Sequence, residues 1–166
     1  YGIDYDKTRA SRPDIYRGVD FEDSKPHTKI LLEGLAPLLY YVLKPGGYCY
    51  IFGMYEDVEA LAIIFECFHF GSRIRPLMWV KDVPTPGQVQ GGGFMNRYEC
   101  ISVFWKDAPR PLLANVNDVL EFAAPQNRIH STEKPVELLK FLISISCEPG
   151  ETVLDPCAGS GSALVA

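Results

Sequence analysis

The chain closes on ETVLDPCAGSGSALVA, residues 151–166, and no other stretch limits its possible folds as strongly. The order is a short branched run at Thr152–Asp155, an acidic residue at its end, a turn with glycine at 159 and 161, and the helical start SALVA. A strand, a glycine turn and a helix in succession form the corner of an α/β sheet. In such sheets ligands bind beyond the carboxyl ends of the strands. Glycine lets the backbone come close to a ligand there.

The residues of this corner narrow the ligand. A dinucleotide fingerprint needs a third glycine, and Leu164 stands in its place. The GK[ST] of a phosphate-binding loop is absent as well. Asp155 at the strand tip suits a cationic or amine-bearing ligand better than a phosphate. S-adenosylmethionine, with a sulfonium and an ammonium, matches that demand. Taken alone, the segment also suits a plain strand-to-helix turn whose glycines serve only packing.

The rest of the chain alternates strands and helices. Residues 1–27 read as a polar loop. Thr28–Leu43 reads as a helix, with apolar residues at 31, 35, 38, 39, 42 and 43 and a kink at Pro37. Lys44-Pro45-Gly46-Gly47 should stop it. Tyr48–Phe52 reads as a buried strand. A second helix, Glu56–Phe68, sets Val58, Leu61, Ala62, Phe65 and Phe68 on one face. Arg73–Val80 is a strand candidate, residues 82–96 a mobile loop rich in glycine and proline, and Glu99–Trp105 a third strand. Residues 106–134 look irregular. Pro135–Ser146 is a helix with proline in its first turn, where the missing N–H costs little. Thr152–Asp155 completes the list of strands. His69, Trp79 and Trp105 are expected in the core. The pattern is α/β, with a mostly parallel sheet and no internal repeat or linker.

Composition narrows the class further. With 47% apolar and 22% charged residues over 166 positions, the chain is neither disordered nor a coiled coil. The formal charge of −5 excludes a histone-like basic protein, so any nucleic-acid contact must use a local patch. The five cysteines, Cys49, Cys67, Cys100, Cys147 and Cys157, show no CxxC spacing and are odd in number. They are expected to be core thiols in a reducing cytoplasm. The first residues, YGIDYDKTR, do not read as a leader, and no apolar run reaches the roughly 18–20 residues of a membrane span. Both ends read as cut.

Three further segments take the reading beyond a ligand-binding corner. They are Leu43–Gly53 (LKPGGYCYIFG) after an opening YGI, RYECISVFWK at 97–106, and HSTEKPVELL at 130–139. Together with DPCAGSG at 155–161 they resemble, in order and spacing, the amino-group DNA methyltransferases of the circularly permuted class called beta. The resemblance covers essentially the whole chain. In that family a [D/S/N]PP[Y/F] segment comes first, then H-x-x-x-KP-x-x-L, then DPFxGSG. Here Cys157 stands where phenylalanine is usual, and Tyr1-Gly2-Ile3 looks like the tail of DPPYGI without its DPP.

The resemblance implies a Rossmann-like, S-adenosylmethionine-dependent methyltransferase sheet, mostly parallel with one antiparallel strand and flanked by helices, in one domain over 1–166. It implies methyl transfer to the exocyclic amino group of adenine in double-stranded DNA, with cytosine's 4-amino group, RNA, a protein glutamine or an inactive cofactor-binding remnant as alternatives. Tyr1 would stack on a base turned out of the duplex. Asp155, Pro156, Cys157, Ala158, Gly159, Ser160 and Gly161 would hold the cofactor, with His130, Thr132, Lys134 and Pro135 lining the same pocket. Lys7, Arg9, Arg12 and Arg17 would reach DNA phosphates. Residues 107–129 would be a short target-recognition insert. The resemblance implies no metal and leaves room for a homodimer. The chain by itself, without the DPP triplet, is expected to be inactive.

Overall fold

In the computed structural model the described residues are 25–83, 95–126, 128, 130 and 132–166. Tyr1, Lys7, Arg9, Arg12 and Arg17 lie outside them, as does 84–94 of the expected glycine-rich loop. The chain divides into two compact units, one within Tyr1–Arg75 and Ser102–Arg110, the other within Pro76–Ile101 and Pro111–Ala166.

In the first unit, helix α1 (Lys25–Val42) runs through Pro37 and precedes strand β1 (Tyr48–Gly53). The stop between them is as expected. Gly46 takes φ +77°, and its N–H reaches the Lys106 carbonyl at 2.8 Å. A single 3₁₀ turn (Tyr55–Asp57) leads into α2 (Val58–Glu66), and β2 (Phe70–Ser72) follows. The core gathers Ala36, Leu61, Ile64, Phe65, Phe70 and Phe104, with Leu32, Leu39, Tyr40 and Leu43 packed against it. Phe65 stacks on Phe104 with centroids 4.3 Å apart. Such aromatic pairs contribute about 0.5–1.5 kcal/mol beyond their buried area.

The inward face of α1 therefore differs from the expected one. Residues 32, 36, 39, 40 and 43 point into the core, whereas Leu31, Leu38 and Val42 are exposed. Apolar residues occur around most of this helix, so its periodicity alone could not select the face.

In the second unit, β3 (Leu77–Val80) pairs antiparallel with the start of β4 (Tyr98–Lys106) and parallel with β5 (Val119–Glu121). Helix α3 (Val136–Ser146) buries Leu138, Leu142 and Ile145, one stripe at helical spacing. The short α4 (Ser162–Val165) ends the chain.

The sheet is mixed and flanked by helices. Strand β4 runs against both β2 and β3, so it is the antiparallel strand. Cys100, Ile101, Val103 and Phe104 along β4 are all buried, as expected of a strand covered on both faces. At the β2 pairing, a Cβ on Gly71 would fall 2.0 Å from Trp105 Nε1, so only glycine leaves room for that indole.

Several expectations are corrected. Arg73–Val80 is not one strand: β2 and β3 are separated at 73–76, where Pro76 has no N–H to give a ladder. Residues 106–134 are not wholly irregular, because 119–121 form β5 on β3. Thr152–Asp155 joins no ladder among the described residues, and Val153 and Leu154 are exposed. A strand is defined by its pairing, and a branched run without a neighbour has none. His69 is exposed, at φ +67°, rather than in the core. Trp79 is buried, but Trp105 only in part. The cysteines are all free, yet Cys67 and Cys157 are exposed, Cys49 and Cys147 half-buried, and Cys100 alone is buried. None of the described helices is long and apolar enough to cross a membrane.

Candidate functional site

The turn at 155–161 is built from local hydrogen bonds. Asp155 Oδ1 accepts the Cys157 N–H at 3.0 Å, a side-chain turn that opens the loop. The Ala158 carbonyl accepts the Gly161 N–H at 2.7 Å. Gly159 and Gly161 take φ +53° and +77°, which a side chain would strain. Ser160 and Ser162 share a hydroxyl contact of 2.8 Å. The other Asp155 oxygen, Oδ2, accepts no hydrogen bond from the described residues.

The 130–135 segment comes to the same place. A Cβ built on Gly159 would lie 3.6 Å from His130 Nδ1, so the imidazole rests in ordinary contact distance of this turn. His130 is itself held. Its Nδ1 faces the Thr132 N–H at 3.3 Å and the Thr132 hydroxyl at 3.1 Å. A ring nitrogen that accepts from a backbone N–H carries no proton, so the neutral ring keeps its proton on Nε2. That Nε2 has no bond to the described residues. The His130 carbonyl accepts the Glu133 N–H at 3.2 Å, and the Glu133 carboxylate reaches back to the His130 N–H at 3.4 Å. Pro135, at φ −60° and ψ 130°, then starts α3.

Lys134 does not end in the turn. Its ammonium meets Glu99 Oε2 at 2.7 Å, and Lys81 meets Glu99 Oε1 at 2.6 Å. Both ammoniums also lie over the Trp79 ring, at 5.8 Å and 5.0 Å from its centroid. Burial by itself would push the Glu99 carboxyl up. The charges and hydrogen bonds of Lys134 and Lys81 outweigh it and hold the group below the usual carboxylate range. Glu99, Lys81 and Trp79 were not among the site residues expected from sequence. The available signal was a glutamate and a lysine placed within otherwise apolar strand segments, YECISVF and LMWVK.

The turn thus carries an open carboxylate oxygen and two glycines in the left-handed region, with the His130 ring in contact distance of Gly159. An acceptor for an ammonium beside a backbone free of side chains suits an amine-bearing ligand. Of the expected cofactor residues, the structure brings together Asp155, Gly159 and His130, with Thr132 orienting the imidazole. Lys134 is engaged with Glu99, and the exposed side chains of Pro156 and Cys157 line the outer rim of the turn.

Residues 114–166 match the family profile described as DNA methylase. A protein of Escherichia coli (strain K12) named as a methylase, YubD, is 44% identical over 70 residues, which is 42% of this chain and 31% of that protein. The chain therefore spans less than a third of the length of this curated relative. Among solved structures, the M1.HpyAVI–SAM complex superposes with a TM-score of 0.68 at 23% identity, covering 81% of this chain and 68% of the other. A second structure, of M1.HpyAVI, gives a TM-score of 0.65 at the same identity, over 81% and 66%. At such identities the likeness establishes a common fold.

Proposed function

We propose that this chain, whose residues 114–166 match the DNA methylase family profile, transfers a methyl group from S-adenosylmethionine to the exocyclic 6-amino group of adenine in double-stranded DNA. The observation that carries this is the meeting of His130 with the Gly159 turn beside the open Asp155 oxygen. The segment before helix α3 and the turn well after it are in contact at this point, which supports the reading of both as one pocket.

S-adenosylmethionine would supply the electrophilic methyl. The chain's own part is to hold and orient. Asp155 Oδ2 would accept from the cofactor's polar hydrogens, Gly159 and Gly161 would let its methionine portion lie on the backbone, and His130 Nε2–H would donate to an acceptor on it. Pro156, Cys157, Ala158, Ser160, Thr132, Lys134 and Pro135 would shape the surround. An aromatic amine is a weak nucleophile because its lone pair is delocalised, so much of the rate would come from positioning the two reactants in line. The base must leave the duplex to reach the methyl. Tyr1 would stack on it, and Lys7, Arg9, Arg12 and Arg17 would touch phosphates; all lie outside the described residues.

Residues 107–129 would read the target, within a single catalytic domain over 1–166. Since 119–121 belong to the sheet, base-reading side chains would come from either side of β5. We place the protein in the cytoplasm, where DNA and cofactor coexist, and a homodimer fits this reading.

The test incubates the full-length gene product with methyl-labelled S-adenosylmethionine and unmethylated DNA, then identifies labelled nucleosides by mass spectrometry. Labelled 6-methyladenine is expected. Labelled 4-methylcytosine would overturn the choice of base and keep the chemistry, while label absent from DNA would overturn the DNA substrate.

A further inference from the structure

We propose that Glu99 is a positioning residue for the cofactor segment, its carboxylate clamping Lys134 and so fixing residues 130–134 on the strand pair β3–β4. This rests on the cofactor reading of His130 given above. The clamp is asymmetric. Lys81 is anchored by its own backbone, whose N–H donates to the Arg97 carbonyl at 2.7 Å and whose carbonyl accepts the Arg97 guanidinium at 2.8 Å. Its side chain is 8% exposed, against 21% for Lys134. Lys134 sits on a non-helical segment just before α3.

Glu99 is the anion placed between these ammoniums, and both lie over the ring of one indole. Without its charge, two cations would face each other over Trp79. The repulsion is relieved at the more exposed partner, and that is Lys134. Displacing Lys134 moves a residue four positions from His130, and the Glu133–His130 bonds transmit the shift. His130 would then leave the Gly159 turn. Loss of one charge-assisted contact of this kind is enough for about a tenfold change in affinity.

The experiment replaces Glu99 with the isosteric, uncharged glutamine and reads two quantities in the full-length gene product. The first, measured without any ligand, is backbone hydrogen exchange. Glu99→Gln is expected to speed exchange of the Thr132, Glu133 and Lys134 amides while the interior of α3 stays protected. The second is S-adenosylmethionine affinity by calorimetry. Glu99→Gln and Lys134→Met are each expected to weaken it about tenfold, and the double variant no further, since both remove one contact. Lys134→Arg, which keeps the charge and the reach, should restore most of the loss.

Unchanged exchange at 132–134 overturns the clamp, whatever the cofactor does. Faster exchange with unaltered affinity, or additive losses in the double variant, overturns its coupling to the cofactor. If the unaltered protein binds no S-adenosylmethionine, the functional reading and that coupling fall together, while exchange still decides the clamp. Should Glu99→Gln not fold, Lys134→Met keeps the Glu99–Lys81 pair and answers the same questions.

Discussion

At the scale of single residues, the thiols separate by their surroundings. Cys157 is exposed within the Asp155 turn, and Cys67 is exposed at the end of α2. Burial pushes the Cys49 thiol up to about 12, so only about one in ten thousand such groups is thiolate at pH 8. Cys100 is enclosed. Iodoacetamide at that pH is expected to label Cys67 and Cys157 of the native protein and to spare Cys49 and Cys100. Saturating S-adenosylmethionine should slow labelling at Cys157 and leave Cys67 unaffected, read by peptide mass spectrometry. Equal protection of both, or of neither, would argue against a cofactor at this turn. The sequence marked Cys157 through its place in DPCAGSG, but its exposure could not be read from a residue type that is usually buried.

At the scale of elements, β3, β4 and the segment before α3 share a charged contact inside an apolar setting. The ordinary value of Glu99 is 4.5, and the folded group is held below it by Lys134 and Lys81 against the opposing effect of burial. The folded state therefore binds this proton less readily than the unfolded chain. Stability from the cluster is complete above pH 4.5 and is lost as pH falls through the lower, folded value. Chemical denaturation midpoints from pH 7 down to pH 3 should fall for the unaltered protein, with a shallower fall in Glu99→Gln. Parallel curves would remove Glu99 from the acid response.

Elements with one apolar stripe were legible. Helix α3, with Leu138, Leu142 and Ile145 inward, follows the expected Pro135–Ser146 span closely. Helix α1 was legible as a helix but not as a face, because Leu31 and Leu38 are as apolar as Leu32 and Leu39. Strand β5 is three residues long and exists through its ladder to β3 and the Met78 N–H to Asp118 bond, neither of which leaves a periodic trace.

At the scale of the whole molecule, a ligand that binds only the folded state adds stability by mass action. At a hundredfold excess over its dissociation constant that amounts to about 2.7 kcal/mol. For a chain of about 150–250 residues it corresponds to a rise in melting temperature of roughly 5–10 °C. S-adenosylmethionine is expected to give such a rise by calorimetric or fluorescence melting, and S-adenosylhomocysteine, with the same amino-acid portion, a comparable one. A nicotinamide dinucleotide should give none, since Leu164 replaces the third glycine of its fingerprint.

What the sequence determined by itself was local and covalent: the helices α1, α2 and α3, the strands β1 and β4, the glycine turn after Asp155, the proline that starts α3, and the resemblance those segments carry in their spacing. Each is set by residues near one another along the chain. What the tertiary structure decided was pairing across distance. It chose the inward face of α1, made β5 a strand, laid His130 against Gly159, and joined Lys134 and Lys81 through Glu99. Such contacts depend on which surfaces meet, and a lysine free to bind a ligand and one already gripped by a glutamate are spelled alike.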